Sequence, residues 1–287
     1  MSSFLEQHKR QPKIFIDLPS KGHFYDESVI QDQQYTQLPV FGMNTMDEIM
    51  LKTPDALFSG ESTAKIIQSC IPLIKDPWRI IGFDLDYILL AIRMATYGNT
   101  MPITTTCPKC EEETTSDIQL QKMMDKIDGG KLVNQVQIKE LTFHLRPLTY
   151  KETTHFSQQH FTLQKQIAQV ENLSIEESEK AIKRQEILDT LSQVNIDLSI
   201  AHISNITKGE DNETDVNAIK SFVIDNDAEI FGQVRNGIEE MNVDWNNDIL
   251  DITCASEDCD SVYKSKLNVD YSSFFGTRSL RSRNLNF

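Results

Sequence analysis

The sequence lacks the long apolar runs that mark membrane proteins and secretory signals. Its longest apolar stretch, around residues 87–92, is far shorter than the roughly 20 residues that span a bilayer. The opening residues, MSSFLEQHKRQPK, are polar and contain no apolar signal core. We therefore expect synthesis in the cytoplasm and no membrane partner.

Basic residues are also scarce, since 28 Lys and Arg face 43 Asp and Glu, for a formal net charge of −15. Binding to nucleic-acid backbones depends on Lys and Arg that displace counterions, so this balance argues against a nucleic-acid partner. The C-terminal end is the exception, because five basic residues there face a single acid, Asp270. Such an end is either a solvated tail or a segment that docks on an acidic partner. The five are Lys264, Lys266, Arg278, Arg281 and Arg283.

Familiar catalytic motifs are missing. The sequence contains no Gly-rich nucleotide loop, no H-E-x-x-H and no G-x-S-x-G, and its six histidines are scattered. The acid pair Asp84 and Asp86 is typical of a solvated helix start, where carboxylates interact favourably with the helix dipole. We predict that the protein is not an enzyme.

Cysteine is rare, with five residues in a chain without a secretion signal, which does not suggest a disulfide framework. Four of them form two pairs, Cys107 and Cys110 in CPKC and Cys254 and Cys259 in CASEDC. The fifth, Cys70, lies in an apolar stretch and is predicted to be a small buried hydrophobic residue.

The two pairs together predict a shared structural zinc site. Zinc favours four thiolates in a tetrahedron, Pro108 presets the turn of the first pair, and a strand-like segment follows each pair. Four protein ligands leave no position for water, so such a zinc would not be catalytic. Two alternatives stay open: two unrelated pairs of reduced thiols, and a redox-active Cys-x-x-Cys.

Local patterns predict an α+β fold. Apolar spacing predicts a helix over residues 83–97 that ends at Gly98, Thr and Ile predict a strand over 100–106, and alternation predicts a hairpin over 133–145. Capping boxes are predicted to start at Thr45, Thr149 and Ser174. The whole is predicted to be a mainly helical protein with a small β element, stapled by a zinc-ribbon-like four-cysteine site and carrying a helical insertion.

Changes in composition suggest five segments. They are an extended N-terminal arm at 1–42, a helical core with the first cysteine knuckle and a β-hairpin at 43–148, an inserted helical subdomain at 149–240, the second cysteine knuckle at 241–271, and a basic C-terminal tail at 272–287.

Three stretches carry a resemblance to a known family. The first is IDLPSKGHFY at 16–25, followed by 43–48, the second is DYILLAIRMATYG at 86–98, which leads into the Cys107 pair, and the third is DYSSFF at 270–275. Over residues 14–115 and 250–276 this arrangement resembles the baseplate hub proteins of T-even-type contractile-tailed bacteriophages.

The resemblance implies a non-enzymatic structural or assembly component of the tail baseplate hub. Its partners would be other tail and hub proteins in a hetero-oligomeric assembly, and its ends would be stapled by metal. It would be located in the host cytoplasm during assembly and in the baseplate of the virion if it stays in the finished particle.

The C-terminal end supplies candidate partner-binding residues: Phe274, Phe275, Arg278, Arg281 and Arg283. The phenylalanine pair would act as an apolar anchor, or alternatively would close the protein's own core. The rival function is a zinc-ribbon adaptor in transcription or nucleic-acid processing. The acids of the two knuckles count against it because they would repel phosphate.

Overall fold

The computed structural model describes residues 9–52, 59–243, 249–256, 259, 261–266, 280–281 and 283–284. Contacts between residues divide the chain into two units. Unit 1 comprises Met1–Gly130 and Asp244–Phe287, and unit 2 comprises Lys131–Val243. Unit 2 is therefore inserted in the sequence between the two parts of unit 1.

The elements follow in chain order. The first part of unit 1 contains β1 (Pro12–Ile16), β2 (Leu38–Phe41), α1 (Thr45–Met50), α2 (Glu61–Cys70), α3 (Gly82–Tyr97), β3 (Thr100–Thr106), β4 (Glu113–Gln119) and α4 (Leu120–Asp128). Unit 2 contains β5 (Gln135–Ile138), β6 (Leu141–Leu145), α5 (Tyr150–Glu171), α6 (Glu177–Ala201), β7 (Ile203–Lys208), β8 (Asp211–Glu213), α7 (Val216–Asp225) and α8 (Ala228–Val243). The second part of unit 1 contains β9 (Ile249–Thr253), β10 (Val262–Lys266), β11 (Leu280–Arg281) and β12 (Arg283–Asn284).

Helix α3 is the most buried helix described in unit 1. Ile88, Ala91 and Ile92 have no exposed surface, as suits a helix that is apolar on several faces. The helix ends at Gly98, whose φ of 93° favours glycine because a side chain would be strained there. The predicted helix over 83–97 and its stop are therefore confirmed.

Residues 12–41, read from the sequence as part of an extended arm, contribute side chains to the interior of unit 1. Strands β1 and β2 pair in an antiparallel ribbon. Leu18, Val29 and Leu38 are essentially inaccessible to solvent. This burial is the reason why the segment holds a defined path along unit 1.

Two antiparallel hairpins of unit 1 position the cysteines. The β3–β4 hairpin pairs from Thr100 with Gln119 to Thr106 with Glu113, and the β9–β10 hairpin ends where Thr253 pairs with Val262. In addition, β11 runs parallel to β3, and β12 runs antiparallel to β10. Each hairpin thus ends in a short loop that carries one cysteine pair.

Unit 2 contains a four-stranded sheet in the order β5-β6-β7-β8, packed with its helices around one apolar core. The predicted hairpin over 133–145 is confirmed as β5 and β6, with its turn at Lys139 and Glu140. The buried core residues are Ile138, Phe143, Leu145, Ile200, Ile203, Ile206, Ile219, Val223, Ile230, Val234 and Met241.

The stretch 149–240 is not wholly helical, because it contains β7 and β8. Residues 208–213 include the tight β7–β8 turn, where Gly209 has a φ of 58°. Strand β7 forms because it pairs with β6, which lies about sixty residues earlier in the chain. No local pattern reports a pairing of that range.

The predicted helix caps are only partly correct. The Thr149–Glu152 capping box is confirmed at the start of α5. Helix α1 is capped one residue earlier than predicted, by Asn44 with Asp47, since the Asn44 side chain accepts hydrogen bonds from the backbone N–H groups of Met46 and Asp47. Helix α6 starts after Glu176 without a side-chain cap, so the box predicted at Ser174 is wrong.

Candidate metal centre

The four paired cysteines converge at the tips of the two hairpins in unit 1. Cys107 and Cys110 occupy the β3–β4 loop, and Cys254 and Cys259 occupy the β9–β10 loop. Their four Sγ atoms all lie within 4.8 Å of one another. Two contacts run from one hairpin to the other, 3.6 Å from Cys110 to Cys254 and 3.8 Å from Cys107 to Cys259.

Backbone hydrogen bonds shape both loops. In the first, the N–H of Cys107 donates to Glu112 O at 3.0 Å, and the N–H of Glu111 donates to Cys107 O at 2.9 Å. In the second, the N–H of Cys254 donates to Ser261 O at 2.9 Å. These bonds hold each pair of sulfurs on the same side of its loop.

Each sulfur also accepts a hydrogen bond from the backbone N–H two residues later. The donors are Lys109 to Cys107, Glu112 to Cys110, Ser256 to Cys254 and Ser261 to Cys259. An N–H that points at a sulfur favours its ionised form. Each of the four sulfurs therefore has one contact that favours the thiolate, which is the form that binds metal.

The Ser261 hydroxyl lies between the two hairpins. Its Oγ is 3.1 Å from Cys107 Sγ and 3.4 Å from Cys259 Sγ, so it can donate to either sulfur. This contact is the main reason why the pKa of both thiols is lowered. The sequence analysis did not identify Ser261 as part of the site. The feature of the sequence that could have indicated it is its position two residues after Cys259 and directly before a strand.

The other two thiols shift in the opposite direction. A backbone N–H lowers the pKa of Cys110 and likewise that of Cys254, but desolvation and hydrogen bonding to neighbouring thiols outweigh it and raise both. Four thiolates this close repel one another, so only some ionise without a cation. A bound cation would remove that conflict.

The donor set fits a tetrahedral metal ion. Thiolates ~2.3 Å from a tetrahedral ion are separated by about 3.8 Å, which matches the two sulfur contacts between the hairpins. All four cysteines are free, and both contacts between the hairpins are well beyond the ~2.05 Å of a disulfide. The four cysteines can therefore hold a soft metal ion.

A buried hydroxyl pair joins the two hairpins next to the cluster. Thr105 of β3 and Tyr263 of β10 are hydrogen-bonded through their hydroxyl groups, and both side chains are buried. These residues lie two positions from Cys107 and from Ser261. The contact fixes one hairpin against the other, so the sulfur positions do not depend on the loops alone.

The remaining residues that the sequence analysis named lie outside the cluster, and the structure describes only some of them. Cys70 is fully buried in α2, as predicted, and burial raises its pKa to about 12. Phe274, Phe275 and Arg278 lie outside the described residues. Arg281 and Arg283 lie in β11 and β12, of which only the backbone pairing is described. Their role in partner binding stays a prediction.

A buried carboxylate at the start of α3 was missed. Asp84 has no exposed surface; its carboxylate accepts hydrogen bonds from the N–H of Ser20 at 3.0 Å and from the hydroxyl of Tyr25 at 2.7 Å. The Tyr25 oxygen also accepts from the N–H of Ile81 at 3.1 Å. Burial raises the pKa of Asp84. The prediction that Asp84 lies at a solvated helix start was wrong, because Ser20 and Tyr25 donate to its carboxylate in place of water.

This network accounts for the stretch at 16–25, since Ser20 and Tyr25 belong to it and both reach the helix start at Asp84. The second stretch, 86–98, continues the helix that starts beside Asp84. Two of the three stretches that carried the resemblance therefore belong to one packed region of unit 1.

The fold and the site define a mixed α+β protein in which two distant chain segments meet at a four-cysteine cluster able to hold a metal ion. Among the described residues, no helix is both apolar and long enough for a membrane span. Residues 17–231 match the family model described as T4 bacteriophage base plate protein, and the chain belongs to this family. No curated protein and no solved structure gave a significant match.

The predicted relationship to T4-type phage baseplate proteins is confirmed, and it associates the chain with the structural proteins of the phage tail. The matched range includes Ser20, Tyr25, Asp84 and the first cysteine pair, and it ends before Cys254. The assignment to the hub in particular stays a prediction.

Proposed function

We propose that this protein is a non-enzymatic structural or assembly component of the tail baseplate hub that binds other tail proteins. The observation that carries the proposal is the family match over residues 17–231, which covers most of both units. The protein would act in the host cytoplasm during assembly and reside in the baseplate if it stays in the virion.

A structural zinc ion held by Cys107, Cys110, Cys254 and Cys259 is part of the proposal. The soft donor set and the sulfur spacing support it. Zinc would supply the positive charge that lets four neighbouring thiolates coexist. It would also join the two parts of unit 1 that flank the inserted unit 2, and so restrict the unfolded chain.

The C-terminal residues remain the proposed partner contact. Phe274 and Phe275 would provide the apolar anchor, and Arg278, Arg281 and Arg283 would provide charge for an acidic partner. Replacing both phenylalanines with alanine is expected to abolish binding to tail proteins while soluble, folded protein is still obtained. Loss of soluble protein would instead show that the pair closes the protein's own core.

Mass spectrometry of purified phage particles and of lysates blocked late in tail assembly tests the main proposal. A fixed ratio to other tail proteins in the particle would identify a hub component. Presence only in intermediates would identify an assembly factor. Absence from both would overturn the proposal and favour the zinc-ribbon adaptor, which retention on heparin at moderate salt would then test.

A further inference from the structure

Unit 2 contains an open cleft of about 500 Å³ between the β7–β8 hairpin and helix α7. Its floor is apolar and is formed by Leu141, Ile206, Ala218, Ile219 and Phe222. Ile206 and Ile219 belong to the buried core of the unit, and the partly buried Leu141 and Phe222 pack against it, so most of the floor is continuous with that core. The volume lies within the roughly 300–1,000 Å³ that is usual for ligand pockets in proteins.

The rim of the cleft is acidic. Asp211 and Glu213 line it, and both belong to β8, whose three residues are all exposed. Lys208 is the one basic residue among those that line the cleft, and its Nζ is 2.6 Å from Glu140 Oε1. Within the described part of the chain, no Lys or Arg forms an ion pair with Asp211 or Glu213. The rim therefore carries negative charge that the protein itself does not compensate.

The cleft also borders an open sheet edge. Strand β8 pairs with β7 on one side and is the last strand of the four-stranded sheet. An edge strand offers backbone hydrogen-bonding groups to an extended segment of another chain. Charged residues on an edge strand can also serve to prevent pairing with another chain. If that is their role here, no peptide should bind along β8.

We propose that this cleft binds an extended segment of a partner protein that carries an apolar side chain between basic residues. The apolar floor accommodates the anchor, and the uncompensated carboxylates of Asp211 and Glu213 select flanking Lys or Arg. The inference rests on the proposed function only in that a tail protein would supply the segment. The chemistry of the cleft stands without that assignment.

A TROSY titration of the full-length, ¹⁵N-labelled protein tests the site. The probe is an equimolar mixture of pentapeptides with Leu, Ile, Met or Phe between two pairs of arginines. We expect saturable shifts in the amides of β7, β8 and α7. A peptide with serine at the centre should bind about tenfold more weakly, and one with glutamates in place of the arginines should not bind.

Two variants separate charge from shape. Asp211→Asn with Glu213→Gln removes the rim charge and should weaken binding about tenfold, and Ala218→Phe fills the cleft and should abolish it. Matched control variants carry the same changes at exposed positions of α5 and α6 outside the cleft, and they should bind as the wild type does. They are Glu186→Gln with Asp189→Asn, and Ala168→Phe. Circular dichroism checks that each variant is folded.

The proposal is overturned if the mixture shifts no amides near the cleft, or if the cleft variants bind as the wild type does. It is also overturned if sedimentation shows a wild-type dimer that Ala218→Phe makes monomeric, because a second copy would then fill the cleft. None of these readouts requires incorporation into a phage particle. Failure of the cleft and failure of the baseplate role are thus separate results.

Discussion

At the scale of single residues, the cysteines differ sharply in role although they share one chemistry. Cys70 is fully buried and its Sγ lies 4.0 Å from the Asp47 carboxylate with no other cysteine sulfur in its cluster, whereas Cys254 points into a group of three other sulfurs. Proximity to other soft donors, and not burial, distinguishes a metal ligand from a core residue.

Replacing Cys254 with serine should therefore abolish metal binding, because three thiolates and a hydroxyl hold zinc far less tightly. Native mass spectrometry of the reduced protein should show one zinc per chain in the wild type and none in the variant. The control Cys70→Ala should keep the metal although it loses a small amount of core packing. Equal metal content in all three proteins would contradict the assignment.

Tyr25 illustrates a polar residue that supports the fold from inside. Tyr25→Phe leaves the buried Asp84 carboxylate with one donor fewer and the N–H of Ile81 without its acceptor. We expect a loss of about 1–3 kcal/mol in the free energy of unfolding, measured by urea titration. Tyr97→Phe is the control, since its hydroxyl makes one exposed contact of 3.4 Å to Glu48, and it should cost less than about 0.5 kcal/mol. Equal losses for the two variants would show that the buried Tyr25 hydroxyl contributes no more to the free energy of unfolding than an exposed hydroxyl does.

At the scale of elements, the start of α5 shows how a cap and an ion pair reinforce one another. Glu152 completes the capping box with Thr149 and also forms a two-point contact with Arg146, at 2.6 and 2.9 Å. Partial burial alone would raise the pKa of Glu152, but Arg146 and Thr149 outweigh it and lower the pKa to about 2. The helix start therefore depends on an ionised carboxylate.

This dependence predicts a pH effect. The folded pKa of Glu152 lies below its ordinary value of 4.5, so the stabilisation is complete above pH 4.5 and disappears as the pH falls towards 2. Glu152→Gln should cost about 1–2 kcal/mol at pH 7, with solvent screening at this half-buried site limiting the effect. Urea titrations at several pH values should show the two proteins converging in acid.

Glu171→Gln is the matched control for that experiment. Glu171 forms an exposed ion pair with Arg184 near the end of the same helix, and its loss should cost less than about 0.5 kcal/mol. If the difference between wild type and Glu152→Gln stayed constant down to pH 2, the carboxylate would not be the source of the stabilisation.

At the scale of the whole molecule, the four-cysteine cluster connects two chain segments that flank an entire inserted unit. The two hairpins are also joined by the Thr105–Tyr263 hydroxyl pair. A metal ion would therefore reinforce a contact that the polypeptide already makes. This combination predicts local loosening on metal removal, not general collapse.

Removal of metal with a strong chelator should raise hydrogen exchange mainly in the hairpins β3–β4 and β9–β10. The core of unit 2, around Phe143 and Ile206, should keep its protection because it contains none of the ligands. Deuterium uptake measured by mass spectrometry, with and without re-added zinc, distinguishes the two regions. Uniform loss of protection throughout the chain would contradict a local role for the metal.

The sequence by itself determined the features that depend on neighbouring residues. Helix α3 with its stop at Gly98, the hairpin around Lys139, the Thr149 cap and the cysteine spacings are all encoded within about one turn or one loop of the chain. Short-range periodicity and turn chemistry report such features directly. The relationship to phage baseplate proteins could likewise be inferred from short stretches of the sequence.

Only the tertiary structure decided which of these features meet. It paired β7 with β6, enclosed Asp84 between Ser20 and Tyr25, placed Ser261 between two sulfurs, and brought Cys107 within 3.8 Å of Cys259. Apart from the contact of Ser261 with Cys259, each of these contacts joins residues that lie far apart in the chain. Their energy comes from burial and from hydrogen bonds formed only after folding, so no local pattern in the sequence records them.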